Sequence, residues 1–295
     1  MWQKLILYIV LLMPALSSAQ PLQVFVSVLP QKTFVEKVGG DHVEVQAMVR
    51  PGQNPHTYDP TPQQITALAE AALYVRTGIP FEQVWMERIR STNPRMQILD
   101  VRDNIDLRTL EQHDHGDADH AHHHHHKAHA NHSERDPHIW TSPPLVKEMT
   151  ANIRDALIKL DPENSQDYKK NYTAFAAELD NLHGEIQTML KNISTRKFMV
   201  FHPAWGYFAD TYGLTQIPIE NEGKEPGARA LTALIRQAKD ENVKVILVQP
   251  QFSQRSAEQV AQAIDGRVVA IDPLSPDYLT NLPKVAQLIA EAASQ

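Results

Sequence analysis

Three histidines of this 295-residue chain, His56, His138 and His202, stand in proline-containing loops or directly after β-branched runs. Neutral imidazoles are nitrogen ligands, and three of them with one carboxylate make a complete tetrahedral set for zinc, which needs no thiol. Asp272 follows the run 268–271 and is the candidate carboxylate. Each residue also has a plainer role: a histidine at the surface or satisfied in the core, an aspartate serving as a cap or turn residue before Pro273. Spacing in the sequence does not show that the four converge.

A second concentration of imidazole is the tract holding His113, His115, His120, His122, His123, His124, His125, His126, His129 and His132, ten of the fifteen histidines, interleaved with Asp114, Asp117 and Asp119. Such density can bind zinc, copper or nickel in exchanging geometries. Its affinity is expected to be weaker than that of a built site, because an unordered segment loses entropy on forming each one. A passive spacer is the alternative.

The chain contains no cysteine, which excludes disulfides, thiolate ligands, a thiol nucleophile and a lipid-modified cysteine. A net charge of −7 and the absence of a basic stripe argue against nucleic acid as a partner. There is no H-E-x-x-H pattern, so the zinc-hydrolase reading rests only on the ability of three histidines and an open position to activate water. No enzyme activity is expected.

The elements that must position these residues follow the hydrophobic pattern. Residues 1–19 read as a secretory signal peptide: Lys4 precedes an apolar run from 5 to 16, too short to span a bilayer, and Ser17 and Ala19 supply small cleavage-site residues. An uncleaved anchor is the alternative. The mature chain is expected from Gln20, without a lipid anchor, in the periplasm. Short β-branched runs at 24–28, 43–49, 73–77 and 96–101 alternate with helices from Thr33, Thr61 and Phe81, which predicts an α/β lobe over 20–161 with a mainly parallel sheet. Over 112–136 no apolar face exists to bury, and composition alone predicts a disordered insertion. A helix is expected from Pro143 to about Leu160. From 163 to 193 apolar residues recur at helical spacing without an internal proline, which predicts one long helix over 162–193 joining two lobes. A second α/β lobe over 194–295 follows, with strands at 197–201, 214–219, 243–248 and 267–271 and helices from Gly227, Ser253 and Asp277. The halves share element order without a residue-level repeat.

The motifs Pro51-Gly52-Gln53-Asn54-Pro55-His56-Thr57-Tyr58-Asp59-Pro60, Asp136-Pro137-His138-Ile139-Trp140, Phe201-His202-Pro203-Ala204-Trp205-Gly206-Tyr207-Phe208 and Ile271-Asp272-Pro273-Leu274, in this order around a long helix, resemble the zinc-uptake type of the metal-binding (cluster A-I) solute-binding proteins of ABC importers. The resemblance covers essentially the whole mature chain. It implies that two α/β lobes meet across a cleft holding the metal, with His56 and His138 from the first lobe and His202 and Asp272 from the second. It also implies that Zn2+ is the transported ligand, that the partner is an inner-membrane ABC permease, and that the protein acts as a monomer. Manganese-type members tend to carry a carboxylate at the third motif, so His202 favours zinc, as imidazole-rich sites do on ligand chemistry. A manganese or iron member of the family is the alternative. Some zinc-type relatives place a glutamate before the first-motif histidine; here Pro55 stands there, which leaves Asp272 or a water as the fourth ligand. Glu220, Glu222 and Glu225 read as a solvated loop, with support of a ligand or contact with a partner as the alternatives.

Overall fold

The computed structural model describes residues 20–109, 135–220 and 224–293. The signal-peptide reading of 1–19, all ten histidines of the tract and Glu222 lie outside these residues.

The first sheet contains β1 (Leu22–Val26), β2 (Val43–Ala47), β3 (Leu73–Arg76) and β4 (Gln97–Asp100), all parallel, in the order β2-β1-β3-β4. Valines and leucines on both faces suit a parallel sheet covered on both sides. Between the strands run α1 (Leu29–Gly39), α2 (Pro62–Ala67) and α3 (Pro80–Thr92), and α4 (Pro143–Leu160) follows the insertion. Three of these helices, α2, α3 and α4, begin within one residue of the expected starts. The largest difference is α1, which opens four residues before Thr33 because Pro30 sits in its first turn, where a missing N–H costs nothing. Thr61 caps α2 through a reciprocal pair: its hydroxyl accepts from Gln64 N at 3.3 Å, and Gln64 Oε1 accepts from Thr61 N at 3.1 Å. The Gln64 amide then donates to Met48 O at 2.8 Å, which ties α2 to the end of β2 and closes the loop that carries His56.

The long helix is α5 (Ser165–Met189), 25 residues and roughly 37 Å, entered through a 3-10 turn at Pro162–Asn164. It stops four residues short of the expected end, before a stretch in which Ser194 Oγ donates to Ala293 O and Thr195 Oγ1 accepts from Lys197 N at 3.3 Å. Its buried stripe of Tyr168, Phe175, Ala176, Leu179, Leu182 and Ile186 packs on α1, α4 and α9 (Tyr278–Ala293). Burying each large side chain of that stripe contributes about 1.5 to 3 kcal/mol.

The second sheet contains β5 (Lys197–Val200), β6 (Thr215–Pro218), β7 (Val245–Val248) and β8 (Arg267–Ala270), again parallel, in the order β6-β5-β7-β8. Both sheets therefore have one topology, a likeness invisible at the level of residues. Alternation along β5 divides the apolar groups between two cores. Phe198 and Val200 join the large core shared with α5 and the first sheet, while Met199 and Phe201 enter a smaller one beneath α7 (Ala228–Asp240) and α8 (Arg255–Ala263). An additional helix, α6 (Gly206–Tyr212), falls where no helix was expected. Tyr207, Phe208, Ala209 and Tyr212 are all buried, and only Asp210 and Thr211 face outward, too short a polar side to set a helical period.

The two halves are bonded directly. Trp140 Nε1 donates to Pro273 O at 2.8 Å, Tyr207 OH to Asp136 O at 2.8 Å, and Thr33 Oγ1 to Pro276 O at 2.7 Å, and Phe34 meets Tyr278 edge to face at 4.9 Å. No helix among the described residues is long and apolar enough to cross a membrane.

Candidate metal centre

Each of the three histidines lies beyond the carboxyl end of a strand or on a loop crossing such ends, where open parallel sheets bind ligands. The His56 loop leaves β2 through a turn in which Gly52 has φ +78°, a conformation open to glycine. Asn54 Oδ1 then accepts from His56 N at 2.8 Å and sets the direction of the side chain. The His138 loop is anchored where the strand order of the first sheet reverses: Thr77, directly after β3, donates from its hydroxyl to Pro137 O at 3.3 Å. His202 follows β5 at the corresponding reversal of the second sheet. Gln249, just after neighbouring β7, clamps its backbone from both sides, accepting from His202 N at 3.2 Å and donating to His202 O at 2.7 Å.

The three rings turn Nε2 toward one point. His202 Nε2 lies 3.3 Å from both His56 Nε2 and His138 Nε2, and all three ligand atoms fall within 4.8 Å of one another. Two nitrogens bound to one zinc at 2.0–2.1 Å and the tetrahedral angle stand about 3.3 to 3.4 Å apart. The far nitrogens are committed to carboxylates: His138 Nδ1–H donates to Asp136 Oδ1 at 2.7 Å and His202 Nδ1–H to Glu220 Oε1 at 2.5 Å. This choice of tautomer turns the Nε2 lone pairs of both rings inward. Lone pairs that face each other at 3.3 Å repel, and a cation between them converts the repulsion into bonds.

Burial favours the uncharged, ligating form of His56 and His202. It pushes His56 down to about 3, with His202 and His138 adding to the effect. Burial also lowers His202, against its hydrogen bond to the Glu220 carboxylate, which favours the proton. Phe252 stacks on the His202 ring at 4.6 Å and Trp140 meets His138 edge-on at 5.3 Å, so the polar cluster has aromatic walls.

Asp272 is not brought into this cluster. Its Oδ1 accepts from Gln251 Nε2 at 2.8 Å and from Leu274 N at 2.9 Å, and its carboxylate oxygens stand outside the group of three imidazoles. Pro55 contributes only its bulk, buried beside His56. Glu220 corrects the expectation of a solvated loop: it is 3 % exposed and holds His202. The segment looks polar because its apolar partners, Phe201 and the end of β5, are distant in sequence; Glu220 N bonds to Phe201 O at 3.0 Å and is drawn under the sheet. Glu225 instead accepts from Ser256 Oγ at 2.9 Å. Asp136, Gln249 and Phe252 were not foreseen as parts of the site. For Asp136 a signal existed, an aspartate two residues before a histidine, which can reach both the backbone N–H and the ring of that residue.

The family model "ZnuA: Zinc-uptake complex component A periplasmic" matches residues 24–292. The chain is 30% identical over 260 residues to the high-affinity zinc uptake system protein ZnuA of Bacillus subtilis strain 168, covering 88% of this chain and 80% of that protein. Among solved structures, a crystal structure of ZnuA superposes with a TM-score of 0.85 at 43% identity, covering 93% of this chain and all of that one. A ZnuA deletion mutant with zinc bound superposes with a TM-score of 0.83 at 41% identity, covering 93% and 99%.

Proposed function

Since the chain belongs to the family of periplasmic zinc-uptake component A proteins, we propose that it captures Zn2+ at His56, His138 and His202 and delivers it to an ABC-type import permease. The observation that carries this reading is the inward set of three Nε2 atoms, with His202 at tetrahedral-zinc spacing from both others and all three within 4.8 Å, and with two of the rings locked by carboxylates. Asp272 is the fourth ligand in this reading, and it reaches the ion by leaving its present hydrogen bonds. Imidazole-rich coordination favours zinc over manganese or iron.

The reading is one of capture and release, not catalysis. A hydrolytic zinc site needs an open position and a nearby base. Asp136 and Glu220, the carboxylates bonded to the ligand rings, are both committed to Nδ1–H groups. The histidine tract between 113 and 132 serves as an accessory collector of weaker affinity. Export to the periplasm through a cleaved signal and action as a monomer complete the proposal.

Competition titration with a zinc-binding dye tests it. The intact protein and a variant lacking 113–132, which keeps Asp136 on His138, should share one tightest site of equal affinity, and His202→Ala should abolish that site in both. Loss of the tightest site on deleting the tract would place capture in the tract instead.

A further inference from the structure

We infer that Gln251 is a latch on Asp272 that sets how fast zinc leaves the site. The inference rests on the proposed role of Asp272 as fourth ligand. Gln251 and Asp272 follow β7 and β8, adjacent parallel strands, and their neighbours touch the imidazole cluster from two sides. Phe252, next to Gln251, stacks on His202, and Pro273, next to Asp272, accepts from Trp140, which packs on His138.

Asp272 is tethered through one oxygen. Its Oδ1 takes both Gln251 Nε2–H and Leu274 N–H, and among the described residues Oδ2 accepts no hydrogen bond. The main chain is pinned as well, by Asn281 Nδ2 donating to Asp272 O at 2.8 Å. Approach to the ion is therefore a side-chain rotation that breaks bonds at Oδ1. The bond from Leu274 is a local turn that any aspartate before a proline can make. The bond from Gln251 crosses between strand ends and is specific to this site.

A second observation marks Gln251 as poised. Its Oε1 is buried without a hydrogen-bond partner, so the hold on Asp272 is the only hydrogen bond of this amide among the described residues. A buried amide satisfied at one end only is costly. It stays because the other end holds a carboxylate, and a hydrogen bond to a charged acceptor is stronger than a neutral one. Zinc and the Gln251 amide compete for Asp272: with Asp272 on the ion the site is closed, and with Asp272 on Gln251 the ion rests on three imidazoles and leaves more readily.

Release of zinc from the full-length protein into excess chelator, followed by stopped flow, tests the latch. Gln251→Met keeps the length of the side chain and removes its donor; it should slow the slowest release phase about ten-fold, the worth of one hydrogen bond to a charged group. Asp272→Ala should weaken zinc binding and speed release, and the double variant should release zinc as Asp272→Ala does. Gln251→Ala, read in the same way, serves if Gln251→Met does not fold. Release from Gln251→Met at or above the wild-type rate overturns the latch, while weakened binding in Asp272→Ala in that case leaves the ligand role standing. Wild-type affinity in Asp272→Ala overturns both. A double variant slower than Asp272→Ala also overturns the latch, since Gln251 would then act without Asp272.

Discussion

His202 and Glu220 form a buried pair, Nδ1–H to Oε1 at 2.5 Å, in which the glutamate is 3 % exposed and its other oxygen has no hydrogen-bond partner among the described residues. The carboxylate selects the tautomer with Nε2 free and makes the ring a stronger donor to a cation. Glu220→Gln retains size and can still accept at Nδ1–H, but lacks the charge. It should weaken zinc binding about 10- to 100-fold, the usual effect of removing such a partner. Isothermal competition titration measures it, and wild-type affinity would show that the pair is structural only.

Zinc should stabilise the protein by mass action. At a free concentration one hundred times the dissociation constant, unfolding should cost about 2.7 kcal/mol more than without metal. A calorimetric scan with and without zinc, on protein lacking 113–132, reads the contribution of the cluster alone. His138→Ala should abolish the difference.

The bonds between the halves carry stability. Trp140 is 1 % exposed and donates from Nε1 to Pro273 O. Trp140→Phe leaves that carbonyl without its partner, and the loss should be about 1 to 3 kcal/mol in urea unfolding. Phe175 of α5, packed on Phe34 at a centroid distance of 6.2 Å, should cost about 3 to 5 kcal/mol when changed to alanine.

One ion pair far from the metal should shape the acid limit of stability. Burial opposes ionisation of Asp100, yet bonds from Arg102 at 2.8 and 2.6 Å, with its charge and that of Arg76, hold the carboxyl below its usual range. A lowered folded value means that the unfolded chain takes up the proton first as pH falls. The stabilisation is thus fully present above the unfolded value of about 3.9 and disappears as pH falls through the folded one. Asp100→Asn should cost on the order of 1.5 kcal/mol at pH 7, and the cost should vanish at the acid end of a pH series of urea titrations.

Strand and helix order was legible because β-branched runs and helical periods are local properties. The parallel sheets, the run of α4 and most of α5 follow from them. The convergence of His56, His138 and His202 was not legible from spacing, since it depends on where two strand orders reverse and on Gln249 and Thr77 fixing the loops from other strands. The resemblance of four motifs supplied that step. Glu220 was misread because burial of a carboxylate depends on a partner, and His202 is eighteen residues away in sequence. Helix α6 was missed because Tyr207, Phe208 and Tyr212 bury around it and only Asp210 and Thr211 mark its outer side.

Anomalous scattering at the zinc absorption edge from crystals of the zinc-loaded protein addresses the metal and its ligands together. One strong peak is expected within about 2.0 to 2.1 Å of Nε2 of His56, His138 and His202, with Asp272 turned from Gln251 onto the ion. A peak elsewhere, or zinc held without these three nitrogens, would contradict capture at this cluster.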